Sequence, residues 1–465
     1  MQENLKKILK EDFKITANRN QLKEISRLLF EIESNSATAC REALEKLKKR
    51  PFFQKRSGKD NFFYLRDTLI KLRFPRSAQK NIPIPLKNIF LPEIRNPLTA
   101  ITRPPKPFKP LKIFIEEGLK NHPLTLKLKN KFPSAELFRK KYYAEYLSRK
   151  KFSISELKKP FIFLIKERQD FIKHCPCTKY HLGCGYWIFN LGFGCPFDCS
   201  YCYLQQYSNF PGLILPANIE DFFEEFDAFY HKIQRPIRIG TGEFCDSLAL
   251  DEITGYSVKL VNFFRRKNVL FELKTKSDEI KNLTAIQASP NIIISWSVNP
   301  QKIIETEELC CASVKERINC AKILQKHGYT IALHFDPVIH LPGWKNLYRQ
   351  TIKSIYEKLC PPLAWISIGT LRSNRELKII NELRFPRSSI FHGELLMAED
   401  RKLRYPEFLR IEIYKHIVDT IKSYDKKTPI YLCMEKTDIW KEVKGLVPFY
   451  DIEGSLINAN KHLLP

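Results

Sequence analysis

Cys195, Cys199 and Cys202 stand in Gly194-Cys195-Pro196-Phe197-Asp198-Cys199-Ser200-Tyr201-Cys202-Tyr203-Leu204-Gln205, at the spacing C-x3-C-x2-C. Three thiolates are one short of a closed tetrahedral zinc site, whereas a [4Fe–4S] cluster held by three cysteines keeps one iron open for a further ligand. The segment therefore predicts an open iron–sulfur cluster. Structural zinc is the competing reading, and no fourth ligand stands at finger-like spacing.

A second group lies just upstream, Cys175, Cys177 and Cys184, with His174 and His181 beside them. Thiolate and imidazole suit zinc or an auxiliary cluster, but C-x-C-x6-C is not a standard ligand spacing, so buried structural thiols are the other reading. Cys40, Cys310, Cys311, Cys320 and Cys360 read as packing residues.

The elements that must position the cluster loop follow residue 175. Candidate strands at 186–192, 236–241, 269–274, 291–296, 329–335 and 364–368 alternate with amphipathic stretches at 219–232, 251–266, 312–326 and 345–359. Strand–helix alternation predicts an α/β fold of parallel strands joined by right-handed crossovers, here a partial (β/α)6 barrel. Ligands of such folds bind at the carboxyl ends of the strands. The cluster loop follows the first strand, Gly242, Glu243 and Cys245 the second, Lys276 the third, Ser297 and Asn299 the fourth, and Asp336 and His340 the fifth.

Before residue 175 the pattern differs. Residues 1–100 predict a mainly helical accessory region, and Pro-rich 101–174 a basic connector with helical pieces; 175–445 would form the barrel and 446–465 a C-terminal tail. Residues 101–160 carry 16 Lys and Arg against 5 Asp and Glu, interleaved with aromatics in 138–143 and 146–151. Cations beside stackable rings suit a nucleic-acid groove, and a solvated face over packed aromatics is the alternative.

The net charge of +27 would draw a polyanion. Thirteen cysteines without an apolar leader near Met1 do not form a secreted disulfide pattern. A cytoplasmic protein with no membrane span is expected.

Six blocks in order carry a family likeness: CPFDCSYCYLQ (195–205), IGTGEFCDSLALD (239–251), ISWSVNP (294–300), HFDPVIHLPGW (334–344), ISIGTLR (366–372) and YLCMEKTDIW (431–440). Residues 174–445 thereby resemble the radical S-adenosylmethionine superfamily, and its spore photoproduct lyase family in particular. The resemblance implies that Cys195, Cys199 and Cys202 bind a [4Fe–4S] cluster whose open iron chelates S-adenosyl-L-methionine. It further implies reductive cleavage of that cofactor to a 5′-deoxyadenosyl radical. Gly242 and Glu243 resemble the segment that meets the methionine ammonium, with Thr241 where the family has a glycine. Lys276, with Lys274 competing, would meet the cofactor carboxylate, and Ser297 and Asn299 its polar groups. Cys245 would donate a hydrogen atom to the substrate radical, or serve only as a small buried hydrophobe; Tyr201 and Tyr203 match the family's radical-return tyrosines.

The implied partners are DNA carrying a thymine photolesion and an electron donor such as a flavodoxin or ferredoxin. RNA or protein substrates are the alternative. A non-catalytic Fe–S or zinc nucleic-acid-binding protein is the reading from another class.

Overall fold

The structure is a computed structural model that describes residues 2–35, 40–50, 53, 58–142, 145–146 and 152–465. Its chain divides into two compact units: 1–97 with 340–342 and 372–409, and 98–339 with 343–371 and 410–465.

The larger unit holds two principal sheets. In the first, β1 (Lys112–Glu116), β2 (Glu136–Lys140), β3 (Phe161–Ile165) and β7 (Leu213–Pro216) run parallel in the order β2-β1-β3-β7. Three of these strands fall in 101–174, which the sequence reads as a connector with helical pieces. They are five residues each, and the Pro- and Lys-rich flanks mask their pattern. The aromatics explain their burial: Phe114 stacks on Phe163 with centroids 4.7 Å apart and on Phe138 at 5.0 Å, and Tyr146 meets Phe114 edge-on at 5.0 Å. Phe138 and Tyr146 thus face a core, while Tyr142 is exposed. Tyr143 and residues 147–151 lie outside the described residues, as does the side chain of Cys40.

The second sheet has eight strands. In chain order they are β4 (Ile172–His174), β5 (Tyr186–Phe189), β8 (Ile237–Thr241), β9 (Val269–Thr275), β10 (Ile292–Ser297), β12 (Thr330–Val338), β13 (Ile366–Thr370) and β17 (Ile430–Leu432). Neighbours in sequence are neighbours in the sheet, and every pairing is parallel except β4 with β5. All residues of β8, β10 and β13 are buried, as strands covered on both faces require. Helices Ile219–Ile233, Tyr256–Phe264, Val314–His327 and Trp344–Tyr356 lie along the connections. The six expected strands are β5, β8, β9, β10, β12 and β13, and the sheet curls into the expected partial barrel, extended at its edges by β4 and β17. A short ribbon pairs β6 (Asp198–Cys199) with β11 (Glu308–Leu309). In segment 446–465 the helix Ile452–Ala459 forms, and Asn460 Nδ2 donates to Ala364 O at 2.8 Å.

The smaller unit is mainly helical, as expected for 1–100. Helices Gln2–Phe13, Arg19–Asn35, Cys40–Lys48 and Lys59–Arg73 bury Leu9, Phe13, Ile25, Leu28, Leu65 and Leu69. The insertion 372–409 adds a ribbon of β14 (Arg372–Ser373), β16 (Leu403–Arg404) and β15 (Leu396–Met397). It also supplies a cap: Glu394 accepts the backbone amides of Arg76 (2.6 Å) and Ser77 (3.0 Å), satisfying the start of helix Pro75–Gln79. No helix among the described residues is long and apolar enough to cross a membrane.

Candidate active site

The cluster loop leaves β5 through two glycines with left-handed backbones. Gly192 has φ 144°, and a Cβ there would meet Ile214 O at 2.9 Å; Gly194 has φ 91°. Between them Phe193 exchanges backbone hydrogen bonds with Ile214 of β7 (3.1 and 2.8 Å), and Gly194 N donates to Phe244 O at 2.9 Å. These contacts fasten the segment leading into Cys195 to β7 and to the loop after β8. Cys199 sits in β6 opposite Glu308 of β11. Gln205 Nε2 donates to Cys199 O at 2.6 Å, and Lys158 Nζ to Cys195 O at 2.9 Å.

All three thiols are free. Burial pushes the Cys195 and Cys202 thiols above their ordinary range, and the Lys158 ammonium opposes that shift. No three Cys, His, Asp or Glu side chains among the described residues converge on one ion. Cys199 is buried and Cys195 and Cys202 are partly so; three thiols from one loop are the donor set that a [4Fe–4S] cluster with one open iron takes.

A second group is centred on Glu308. Its carboxylate accepts from Arg317 Nη2 at 2.6 Å, from Asn299 Nδ2 at 2.8 Å and from the Tyr201 hydroxyl. Burial alone would raise its pKa, but Arg317 and Lys276 hold it at about 2. Asn299 Oδ1 in turn accepts from Tyr348 OH at 2.7 Å, and the Ser297 carbonyl accepts from Arg317 Nη1 at 2.9 Å. Lys276 Nζ lies 5.9 Å from the Tyr201 ring centroid. Against the pull of burial, Glu308 and the neighbouring Cys199 and Cys311 keep Lys276 charged above its usual range. Tyr201, Lys276 and Asn299 therefore meet in one buried ionic centre beside Cys199.

The third group surrounds Glu243. Gly242 has φ 96°, and a Cβ there would lie 2.6 Å from Lys274 O, so glycine is required. The Tyr203 hydroxyl lies 2.6 Å from Glu243 O and 3.1 Å from Glu243 Oε1, which ties the cluster loop to the loop after β8. Lys274 Nζ is 3.9 Å from Glu243 Oε2. The two candidate lysines thus diverge: Lys274 faces Glu243, and Lys276 faces Glu308.

Asp246 fixes this loop, accepting from Thr275 Oγ1 and Lys276 N, both at 2.7 Å, while Ser247 Oγ bonds Thr241 Oγ1 at 2.6 Å. Thr241, standing where a glycine is usual, is held by that bond. The Cys245 thiol lies toward Gly192, where a Cβ would sit 4.0 Å from its sulfur. Burial, helped by the Asp246 charge, pushes its pKa up to about 12.

The family model for spore photoproduct lyase matches residues 153–428, more than half of the chain. The chain belongs to the spore photoproduct lyase family. It is accordingly a radical S-adenosylmethionine enzyme of the lyase kind, within a family of DNA-repair lyases. The spore photoproduct lyase of Clostridium acetobutylicum is 23% identical over 264 residues, which span 55% of this chain and 74% of the relative. That of a Geobacillus species is 21% identical over 341 residues, 69% of this chain and 96% of the relative. Solved structures share the fold. Spore photoproduct lyase complexed with dinucleoside spore photoproduct superposes with TM-score 0.60 at 17% identity, covering 70% of this chain and 99% of that one. A doubly substituted variant with bound AdoMet and dinucleoside spore photoproduct gives TM-score 0.60 at 18% identity, covering 71% and 100%.

In this spore photoproduct lyase family member, the motifs and their spacing mark no role for Glu308, Arg317, Tyr348 or Asp246. Arg317 and Tyr348 sit on helices and Glu308 in a two-residue strand, so no strand-end pattern marks them. The upstream cysteines are near one another without forming a metal-holding group: the Cys175 thiol bonds that of Cys177, with Cys433 and Glu243 nearby.

Proposed function

We propose that this protein uses a [4Fe–4S] cluster on Cys195, Cys199 and Cys202, together with S-adenosyl-L-methionine, to reverse a thymine photolesion in DNA. The observation that carries the reading is the hydrogen bond from Tyr203, next to Cys202, to Glu243. It ties Glu243, which would accept the methionine ammonium, to the thiol loop. The bound AdoMet and dinucleoside lesion named for the solved relatives support the same cofactor and substrate class.

When bound, the reduced cluster would supply the electron that cleaves the cofactor to methionine and a 5′-deoxyadenosyl radical. This chain's residues would do the rest. Glu243, charge-compensated by Lys274, would accept the ammonium, and Gly242 would let the backbone approach it. Ser297 and Lys276 would line the adjoining wall, with Asn299 acting through Glu308. Cys245 would give the hydrogen atom to the substrate radical, and Tyr203 and Tyr201 would serve radical return. A flavodoxin- or ferredoxin-type protein would supply the electron.

The test is anaerobic reconstitution, then incubation with S-adenosylmethionine, dithionite and ultraviolet-treated DNA. The wild type should bind about four irons, form 5′-deoxyadenosine and remove the lesion, and Cys199→Ala should lose all three. Formation of 5′-deoxyadenosine with the lesion intact would remove DNA repair. A full iron load on Cys199→Ala would remove the cluster assignment.

A further inference from the structure

A fourth thiol touches one of the proposed cluster ligands. Cys311 Sγ lies 3.7 Å from Cys199 Sγ, and both residues are buried. Pairing of β6 with β11 brings the two together from 112 positions apart in the chain.

The approach is fixed from several sides. Just after β11 the backbone turns through Cys310 with φ 69°, and Cys311 N donates to Glu308 O at 3.2 Å. Ala312 N donates to Lys276 O at 3.2 Å. A strap of earlier residues closes over the turn: Lys106 Nζ donates to Cys311 O at 3.1 Å, and Cys310 Sγ to Pro104 O at 3.5 Å. Beside them Arg103 Nε stands 3.9 Å from Asp198 Oδ2, one residue before Cys199. The strap precedes the family-matched region, which begins at residue 153.

We propose that Cys311 is a positioning residue whose S–H donates a hydrogen bond to the Cys199 sulfur and raises the reduction potential of the iron–sulfur cluster. The inference rests on the cluster assignment made above. A thiolate that ligates iron carries no proton, so in this pair only Cys311 can donate. A hydrogen bond to a ligand sulfur draws charge from it and favours the more negative, reduced cluster. Without that donor the cluster would be harder to reduce.

The experiment compares reconstituted wild type with Cys311→Ala and Cys311→Ser by iron content, by potentiometric titration followed by electron paramagnetic resonance, and by resonance Raman spectra in H2O and D2O. All three proteins should carry the same iron. Cys311→Ala should shift the midpoint to more negative potential and reduce the H/D sensitivity of the Fe–S(Cys) bands. Cys311→Ser, which keeps a donor in place, should bring both back toward wild type. An unchanged midpoint in Cys311→Ala at full iron load overturns the proposal, and so does loss of iron from that variant alone, which would make Cys311 a ligand. If Cys311→Ala does not fold, absence of H/D-sensitive Fe–S(Cys) bands in the wild type overturns it instead. A wild type that takes up no iron overturns the cluster assignment and is thereby distinguished from failure of the inference.

Discussion

A thiol can surrender a hydrogen atom only while it still holds its proton. An ordinary cysteine loses that proton near pH 8.5, where a radical enzyme would find its donor half ionised. Cys245 is protected from this, because burial first and the Asp246 charge second push its pKa up to about 12. Ionisation is thereby deferred, so Cys245, the hydrogen donor proposed above, keeps its S–H through the alkaline range in which an exposed thiol would lose it. Lesion reversal per 5′-deoxyadenosine formed should therefore stay level from pH 7 to about pH 10, and Cys245→Ala should still make 5′-deoxyadenosine while losing reversal. A midpoint near pH 8.5 in that ratio would show that the donor is another, more exposed thiol. Glu308 illustrates the opposite case, held near 2 by Arg317 and Lys276, so the centre beside Cys199 stays ionised throughout the same range.

Secondary elements bring together charges that lie far apart in the chain. In the smaller unit, Glu31 of helix Arg19–Asn35 is fully enclosed by Arg27 (2.8 Å), Arg73 (2.6 Å) and Lys378 (2.5 Å), and Arg27 also bonds Glu382. These cations hold the Glu31 carboxylate well below its usual range despite burial, while burial lowers Lys378 to about 8. Three cations face two carboxylates, so the two sides are not equivalent. Removing Glu31 leaves buried cations uncompensated, whereas removing Lys378 leaves two arginines for two carboxylates. Glu31→Ala should cost about 3–5 kcal/mol and Lys378→Met at most about 1.5 kcal/mol in urea unfolding of the full chain. Equal losses would refute this account. The depressed Glu31 pKa adds stability that is complete above pH 4.5 and lost as acid protonates the folded carboxylate. Lys378 works in the other direction, since its buried charge opposes folding below pH 8 and that cost fades as pH rises toward 10.5. None of this was legible in the sequence, because Glu31 and Lys378 are 347 positions apart and no local pattern links them. The barrel strands were legible because buried parallel strands are continuous β-branched runs, as in Ile292–Ser297. β1, β2 and β3 were not, each being five residues between prolines and lysines. Cys311 read as packing for a related reason: it meets Cys199 only because β6 pairs with β11, which ends two residues before it.

At the scale of the whole molecule, the charge of +27 is large enough to govern how the chain meets DNA, the substrate class proposed for it. Part of the excess lies in 101–160, with 16 basic against 5 acidic residues. The structure sorts that stretch into a packed side and an open side. Phe138 and Tyr146 are spent on the core with Phe114, while Arg139, Lys141 and Tyr142 are exposed along and just beyond β2, and the Arg168 guanidinium lies 5.6 Å from the Tyr142 ring centroid. A row of cations with one exposed ring suits backbone contact and does not read bases. Arg139→Glu combined with Lys141→Glu should therefore weaken binding to damaged and undamaged duplexes alike. The slope of log K against log salt should become shallower by about 1 for each phosphate that the chain no longer neutralises. 5′-Deoxyadenosine formation without DNA should not change, since neither residue lies at the cluster loop. Fluorescence anisotropy of labelled duplexes at several salt concentrations measures both the affinity and the slope. An unchanged slope would mean that the charge on this sheet edge serves solubility, and that the DNA path crosses another part of the basic surface.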